Sequence, residues 1–212
     1  MLVEPIQGEG GVYLPDDGYL PGLRKLCDES GALLIFDEIQ TGIGRTGRLW
    51  AYEHSGVEPD VMTLAKALAN GVPIGAMLCR NEAASVLTAG SHGSTFGGTP
   101  FVTQVALATL TTVIGDKLPE RAERVGRELM DALRAMQSSC PVVTRVRGRG
   151  LLIGIELTIA AAPVLDACRE QGLLVLSAGE KVVRLVPPLI VESADIRRAV
   201  EILKTVLAKA KA

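Results

Sequence analysis

Between Gly31 and the pair Asp37-Glu38 stands an unbroken apolar run, Ala32-Leu33-Leu34-Ile35-Phe36. A run this short, bounded by turn signals and free of polar alternation, suits a strand buried on both faces. Val61 to Leu64 and Ile74 to Cys79 repeat the pattern, with helical or loop material between them. Strand and helix signals alternating in this way predict an α/β chain with a parallel, doubly wound sheet. Composition agrees: 48% of residues are hydrophobic but only 3% aromatic, so the apolar mass is mostly Ala, Val, Leu and Ile, as in strands between helices. Chemistry in such sheets gathers at the carboxyl ends of the strands. Asp37 and Lys66 both lie at or just beyond such ends.

Asp17 to Ser30 reads as a helix closed by Gly31, and Pro100 to Ile114 as a long apolar connecting helix with proline in its first turn. From Pro119 the texture changes. Pro119 to Gln137 is a charged amphipathic helix, Val142 to Leu157 a pair of strands around Gly148-Arg149-Gly150, and Pro163 to Gln171 a short helix ended by Gly172. Leu173 to Leu176 and Val182 to Val186 are further strands. Ser193 is expected to cap a last helix, with Asp195 in its first turn and Lys204, Lys209 and Lys211 near its end, an order that suits the helix dipole. Two domains are therefore expected: residues 1–115, part of a large α/β domain with its connecting helix, and 116–212, a small C-terminal α+β domain.

The net charge is -2 with the two signs interspersed, which excludes the clustered Lys and Arg of a nucleic-acid surface or a polybasic membrane patch. No apolar run approaches the ~20 residues that span a bilayer. Met1-Leu2-Val3-Glu4-Pro5 has neither a charged leader nor a cleavage site, and reads as the end of a strand whose upstream part is missing. Cys27, Cys79, Cys140 and Cys168 are widely spaced, with no C-x-x-C pair and only His54 and His92 as companions. Neither a metal site nor a disulfide scaffold is expected; buried thiols in a reducing cytoplasmic setting are.

A carboxylate ending an apolar strand is costly to bury unless a cation meets it, so Asp37 is either a cap, a structural ion-pair member or a functional group. Glu38 is directed by strand alternation to the other face. Lys66, within Leu64-Ala65-Lys66-Ala67-Leu68, either extends to solvent or sits in a poorly solvated pocket that favours the neutral, carbonyl-attacking amine. Together, Asp37 and Lys66 match the protein's usual contribution to pyridoxal chemistry: one amine for the cofactor's aldehyde, one acid for its ring nitrogen.

Gly42-Ile43-Gly44-Arg45-Thr46-Gly47 is a literal G-x-G-x-x-G, but Gly56 and Pro59 break the segment after it, and no acid occurs from Val61 through Asn81. The dinucleotide-binding context therefore fails, and a flexible active-site loop is expected instead. Ser91-His92-Gly93-Ser94-Thr95-Phe96-Gly97-Gly98 offers hydroxyls and open backbone amides to an anion such as phosphate. His92 has no triad partner and is assigned a structural role.

Several long motifs in order resemble the class III pyridoxal-phosphate-dependent aminotransferases, in their acetylornithine and ornithine branch. They are Glu4-Pro5-Ile6-Gln7-Gly8-Glu9-Gly10-Gly11, Phe36-Asp37-Glu38-Ile39-Gln40-Thr41-Gly42, Gly44-Arg45-Thr46-Gly47, Leu64-Ala65-Lys66-Ala67-Leu68 and Gly90 to Gly98. The likeness continues through Gly148-Arg149-Gly150-Leu151-Leu152-Ile153-Gly154 and Arg184-Leu185-Val186-Pro187-Pro188-Leu189, over essentially the whole chain.

The resemblance implies the large domain of a PLP-transferase fold, in part, followed by the small C-terminal domain. It implies that Lys66 is catalytic and holds pyridoxal 5'-phosphate, that Asp37 pairs with the ring nitrogen, and that Gln40 bonds the phenolic oxygen. Thr95 would reach the cofactor phosphate of a neighbouring subunit in a homodimer. Arg184 would bind a substrate carboxylate, with Glu9 as its switchable partner. The implied reaction moves the terminal amino group of N2-acetylornithine to 2-oxoglutarate, in two alternating half-reactions. Gly10 after Glu9 favours this branch, with ornithine or succinylornithine as the alternative donor. Thr99 and Ser177 stand where the family more often has Asn. Family members are roughly twice as long, their N-terminal half supplying the phosphate loop, the ring-stacking aromatic residue and another arginine. The expectation is an N-terminally truncated chain with little or no activity alone, a non-catalytic remnant, or one half of an enzyme completed by a separate N-terminal polypeptide.

Overall fold

The computed structural model describes residues 1–210 of the 212, so Lys211 lies outside the described residues. The chain divides into two compact units. The first comprises Met1–Pro5, Pro15–Gly44 and Arg48–Lys117; the second comprises Ile6–Leu14, Arg45–Gly47 and Leu118–Ala212. The division follows no single cut near residue 115, because two short N-terminal segments join the C-terminal unit.

In the first unit, β1 (Leu2–Val3), β2 (Ile35–Asp37), β3 (Val61–Leu64) and β4 (Ala76–Cys79) form a sheet in that order. β1 and β2 run parallel, as do β2 and β3, whose register sets Asp37 beside Thr63. β4 runs antiparallel to β3, so the sheet is mixed but mostly parallel, as expected of this part of the large domain. Only residues 65–75 separate these two strands, a 3₁₀ turn and a loop, where a parallel return needs a crossover of a dozen residues or more.

The amphipathic helix α1 (Tyr19–Ser30) ends at Gly31, whose φ of 68° is the left-handed stop a glycine takes without strain. It buries Leu20 and Cys27 against Leu34, Phe36 and Val57. The strand core thus begins later than Ala32, at Ile35, and extends to Asp37 itself. A single short turn, α2 (Asn81–Ala84), follows β4. The connecting helix α3 (Pro100–Gly115) starts at proline as expected and packs beside the 3₁₀ turn Lys66–Ala69.

The second unit contains α4 (Leu118–Gln137), β5 (Val143–Arg149), β6 (Leu152–Leu157), α5 (Ala162–Glu170), β7 (Leu176–Ser177), β8 (Val182–Leu185) and α6 (Ser193–Lys209). Its four strands form an antiparallel sheet in the order β5-β6-β8-β7. One face, carrying Val146, Ile153, Ile155, Val183 and Leu185, packs on the apolar sides of α4, α5 and α6. The other face receives residues 6–14 through Ile6 and Val12, which meet Leu152, Ala178 and Val182.

The cap of α6 is Glu192, not Ser193. Asp195 Oδ2 accepts from Glu192 N at 3.3 Å, while the Ser193 hydroxyl donates to Glu128 at 2.7 Å. A second correction concerns Gly42–Gly47. Its glycines and Thr46 are buried rather than forming a flexible loop. Within the second unit, Arg45 donates to the carbonyls of Leu151 and Pro187, and Leu151 N returns a bond to Arg45 O. Burial without a carboxylate partner draws the Arg45 guanidinium down to about 10, which still leaves it charged near neutrality.

Candidate active site

Strand alternation explains why Asp37 and Glu38 lead separate lives. Phe36 points into the α1 core and is fully buried, so Asp37 emerges on the opposite face, half-buried. Its Oδ1 accepts from Ile39 N at 3.0 Å and from the Thr63 hydroxyl at 3.3 Å. Among the described residues no donor is recorded on Oδ2. A carboxylate anchored through one oxygen keeps acceptor capacity on the other, which suits a protonated ring nitrogen.

Glu38 turns back inward and is almost wholly buried, accepting from Thr41 Oγ1 and from Tyr52 N at 2.9 Å. Desolvation pushes its carboxyl up from the ordinary 4.5, and these hydrogen bonds only partly oppose the rise. A group whose value is raised on folding takes up protons with the native state. Its contribution to stability is complete below 4.5 and is lost as pH rises through the folded value. Glu38→Gln should therefore gain Tm relative to the parent chain as pH climbs from 4 towards neutrality. Thermal melts across that range check this, and a pH-independent difference between the two proteins would refute it.

Lys66 follows β3 by two residues and opens the 3₁₀ turn Lys66–Ala69. Its φ is +46°, an uncommon conformation for a non-glycine residue and one frequent at functional sites. The side chain is exposed, not enclosed in a poorly solvated pocket. Thr63 links the two candidate residues. It pairs with Asp37 across the parallel register and precedes Lys66 by three residues, a chain span of at most about 11 Å. Gln40 is half-buried in the turn after β2, where Gly42 N bonds Glu38 O at 2.9 Å.

Thr95 lies in the exposed stretch Ser91–Gly98 and meets neither Asp37 nor Lys66 through a hydrogen bond among the described residues. His92 is exposed in the same stretch, so it has no core role. Thr99 is the N-cap residue of α3 but makes no side-chain cap bond.

The remaining predicted pair falls in the second unit. Arg184 on β8 is buried, and its Nη1 meets Glu9 Oε2 at 2.8 Å, while the Glu9 side chain is 71% exposed. Sequence reasoning missed Thr63, which the parallel pairing of two recognised strands could have revealed. It also missed Arg147, which is buried on β5 although arginine is rarely buried unless paired. Among the described residues no group of three or more metal-ligating side chains converges, and no helix is long and apolar enough to cross a membrane.

Against known proteins, the family described as "Aminotransferase class-III" matches residues 1–207. The acetylornithine aminotransferase of Synechocystis sp. is 46% identical over 213 residues, covering 98% of this chain and 49% of that protein. The ornithine aminotransferase of Staphylococcus epidermidis is 46% identical over 209 residues, covering 98% and 52%. A crystal structure of the ornithine aminotransferase from Toxoplasma gondii, described with partial occupancy of PLP at its active site, superposes with a TM-score of 0.92 at 42% identity. It is matched over 97% of this chain and 50% of that one. The chain thus spans about half the length of the relatives it matches.

Proposed function

The chain belongs to the class III aminotransferases, and from that premise we propose that it serves pyridoxal-phosphate-dependent transfer of the terminal amino group of N2-acetylornithine to 2-oxoglutarate. The products are N-acetylglutamate 5-semialdehyde and glutamate, a step of arginine biosynthesis. One observation carries the reading: Asp37 and Lys66 stand at the carboxyl ends of adjacent parallel strands, joined by the Asp37–Thr63 pairing.

Pyridoxal phosphate, when bound, supplies an electron sink for the carbon that bears the transferred amine. Lys66 would hold the cofactor through its amine, and the same amine would be placed to carry a proton at that carbon. Asp37 would pair with the ring nitrogen and keep it protonated, and Gln40 would bond the phenolic oxygen. Arg184 receives a substrate carboxylate with the planar two-donor fork that such a group fits. Glu9 would occupy that fork when the amino donor is the substrate, and give it up to the dicarboxylate.

Thr95 would reach the cofactor phosphate of a second copy. The exposed apolar rings of Phe96 and Phe101, 86% and 69% accessible, support a face covered by that copy. The thiols of Cys27, Cys140 and Cys168, buried and unbridged, suit a reducing cytoplasmic setting. Gly10 and the acetylornithine aminotransferase relatives support the acetylated donor, whereas the ornithine aminotransferase relatives fit the alternative equally.

The test is chemical. The chain is incubated with pyridoxal phosphate, reduced with borohydride, digested and mapped by mass spectrometry. The added mass is expected on Lys66, and modification spread over Lys25, Lys117 and Lys181 instead would defeat the assignment. Glutamate formation from N2-acetylornithine, ornithine and succinylornithine then ranks the donors.

A further inference from the structure

Arg147 is buried to 94%, yet nothing in the proposed reaction uses it. Its Nε donates to two successive carbonyls of the segment that carries Glu9, Gly11 O at 2.9 Å and Val12 O at 3.1 Å. Its guanidinium carbon lies 4.0 Å from the centre of the Tyr13 ring, a cation–π contact. Its Nη1 pairs with Glu156 on the neighbouring strand. One side chain thus holds three consecutive residues to the face of the sheet that bears Arg184.

The segment needs holding. Gly11 has φ of +127° and Val12 of +54°, the latter in a region that a β-branched residue rarely enters. Such backbone persists only where its surroundings over-determine it. Val12 is fully buried, and a methyl group on Gly154 would lie 3.0 Å from its Cβ, so the segment seats directly on β6. Arg147 Nη2 is buried with no acceptor among the described residues. An orphaned donor is a poor way to add stability, which leaves geometry as the purpose of the grip.

We propose that Arg147 is the positioning residue of the Glu9–Arg184 pair: by clamping Gly11, Val12 and Tyr13 it keeps Glu9 where its carboxylate competes with a substrate dicarboxylate for Arg184. The inference rests on the proposed exchange between Glu9 and substrate at Arg184, and it assigns the control of that exchange to a residue that touches neither.

The test measures 2-oxoglutarate binding to the purified chain by calorimetry, in the parent and in Glu9→Gln, Arg147→Met and the double variant. Releasing Glu9 should tighten binding by about two- to fivefold, the range of a partly exposed ion pair. Arg147→Met should tighten it by a similar factor despite removing a positive charge, and the double variant should match either single change. A merely structural role, or a long-range charge effect, would weaken binding.

Hydrogen exchange supplies a second readout. The Gln7 and Tyr13 amides, which bond each other's carbonyls, should lose about tenfold in protection in Arg147→Met while β6 and β8 keep theirs. Should Arg147→Met not fold, Arg147→Lys replaces it. Lysine retains the charge opposite Glu156 but lacks the fork, so intermediate exchange and affinity are expected. Parent-like affinity and exchange in the Arg147 variants, with Glu9→Gln tightening as expected, overturn the proposal. No tightening in Glu9→Gln overturns the underlying reading of Glu9, and the proposal with it.

Discussion

Alanine at Gly126 is expected to destabilise the second unit strongly, whereas alanine at Gly22 is expected to stabilise the first. Both glycines sit inside helices, Gly22 in α1 and Gly126 in α4, where glycine costs roughly 0.5–1 kcal/mol against alanine. Propensity alone would favour both substitutions. Packing separates them. A Cβ on Gly22 meets nothing within 4 Å, but one on Gly126 would stand 2.1 Å from Gly150 O and 2.4 Å from its carbonyl carbon. The obstacle is backbone, so no rotamer can relieve it.

Nor can the hairpin retreat. A Cβ on Gly150 would come within 2.4 Å of Thr46 C, so α4, the β5–β6 turn and residues 45–47 form three layers of main chain in direct contact. Overpacking of this kind costs about 3 kcal/mol or more, against a total of roughly 5–15 kcal/mol for a typical domain. Denaturant melts followed by circular dichroism should show Gly22→Ala shifted upward and Gly126→Ala with the transition of the second unit shifted far downward. A Gly126→Ala protein that melts like its parent would mean that α4 does not approach the turn this closely.

The second large effect belongs to Lys66. Lys66→Ala should abolish the borohydride-stable adduct on its peptide and lower glutamate formation by about 10²–10⁴-fold, the usual contribution of a positioned proton-transfer group. On the proposed reading the same substitution would also remove the amine that anchors the cofactor, which adds to the loss. Arginine at the position keeps the charge but not a nucleophilic amine, so Lys66→Arg should fail in the same way. The measurement pairs peptide mapping with a glutamate assay in whichever polypeptide assembly supports turnover. Undiminished glutamate formation by Lys66→Ala would remove this residue from the mechanism.

Features set by local pattern were readable before any coordinates. β2 and β3 announce themselves as apolar runs, and the polar residues that end them, Asp37 and the lysine beyond Leu64, stand out against that background. Arg184 was singled out by its family motif, and its carboxylate partner lies 175 residues upstream, yet the two meet at 2.8 Å. What remained hidden depends on partners distant in the chain. The direction of β4 follows from the compact turn before it, not from its own residues. Gly42–Gly47 looks mobile because glycine is ambiguous between freedom and close contact, and only the carbonyls that receive Arg45 decide between them. Ser193 and Glu192 are both competent caps, and the choice turned on Glu128 engaging the serine. Arg147 carries no local signal of its task, since its acceptors lie about 135 residues earlier in the chain.

The two-faced sheet of the second unit divides labour by residue parity. Val183 and Leu185 look towards the helices, while Arg184 between them looks towards the loop with Glu9. On the proposed role of Arg184, changes at Val183 and Leu185 should be felt as melting temperature, and changes at Arg184 as ligand preference. Selection can retune what such a protein accepts without renegotiating whether it folds.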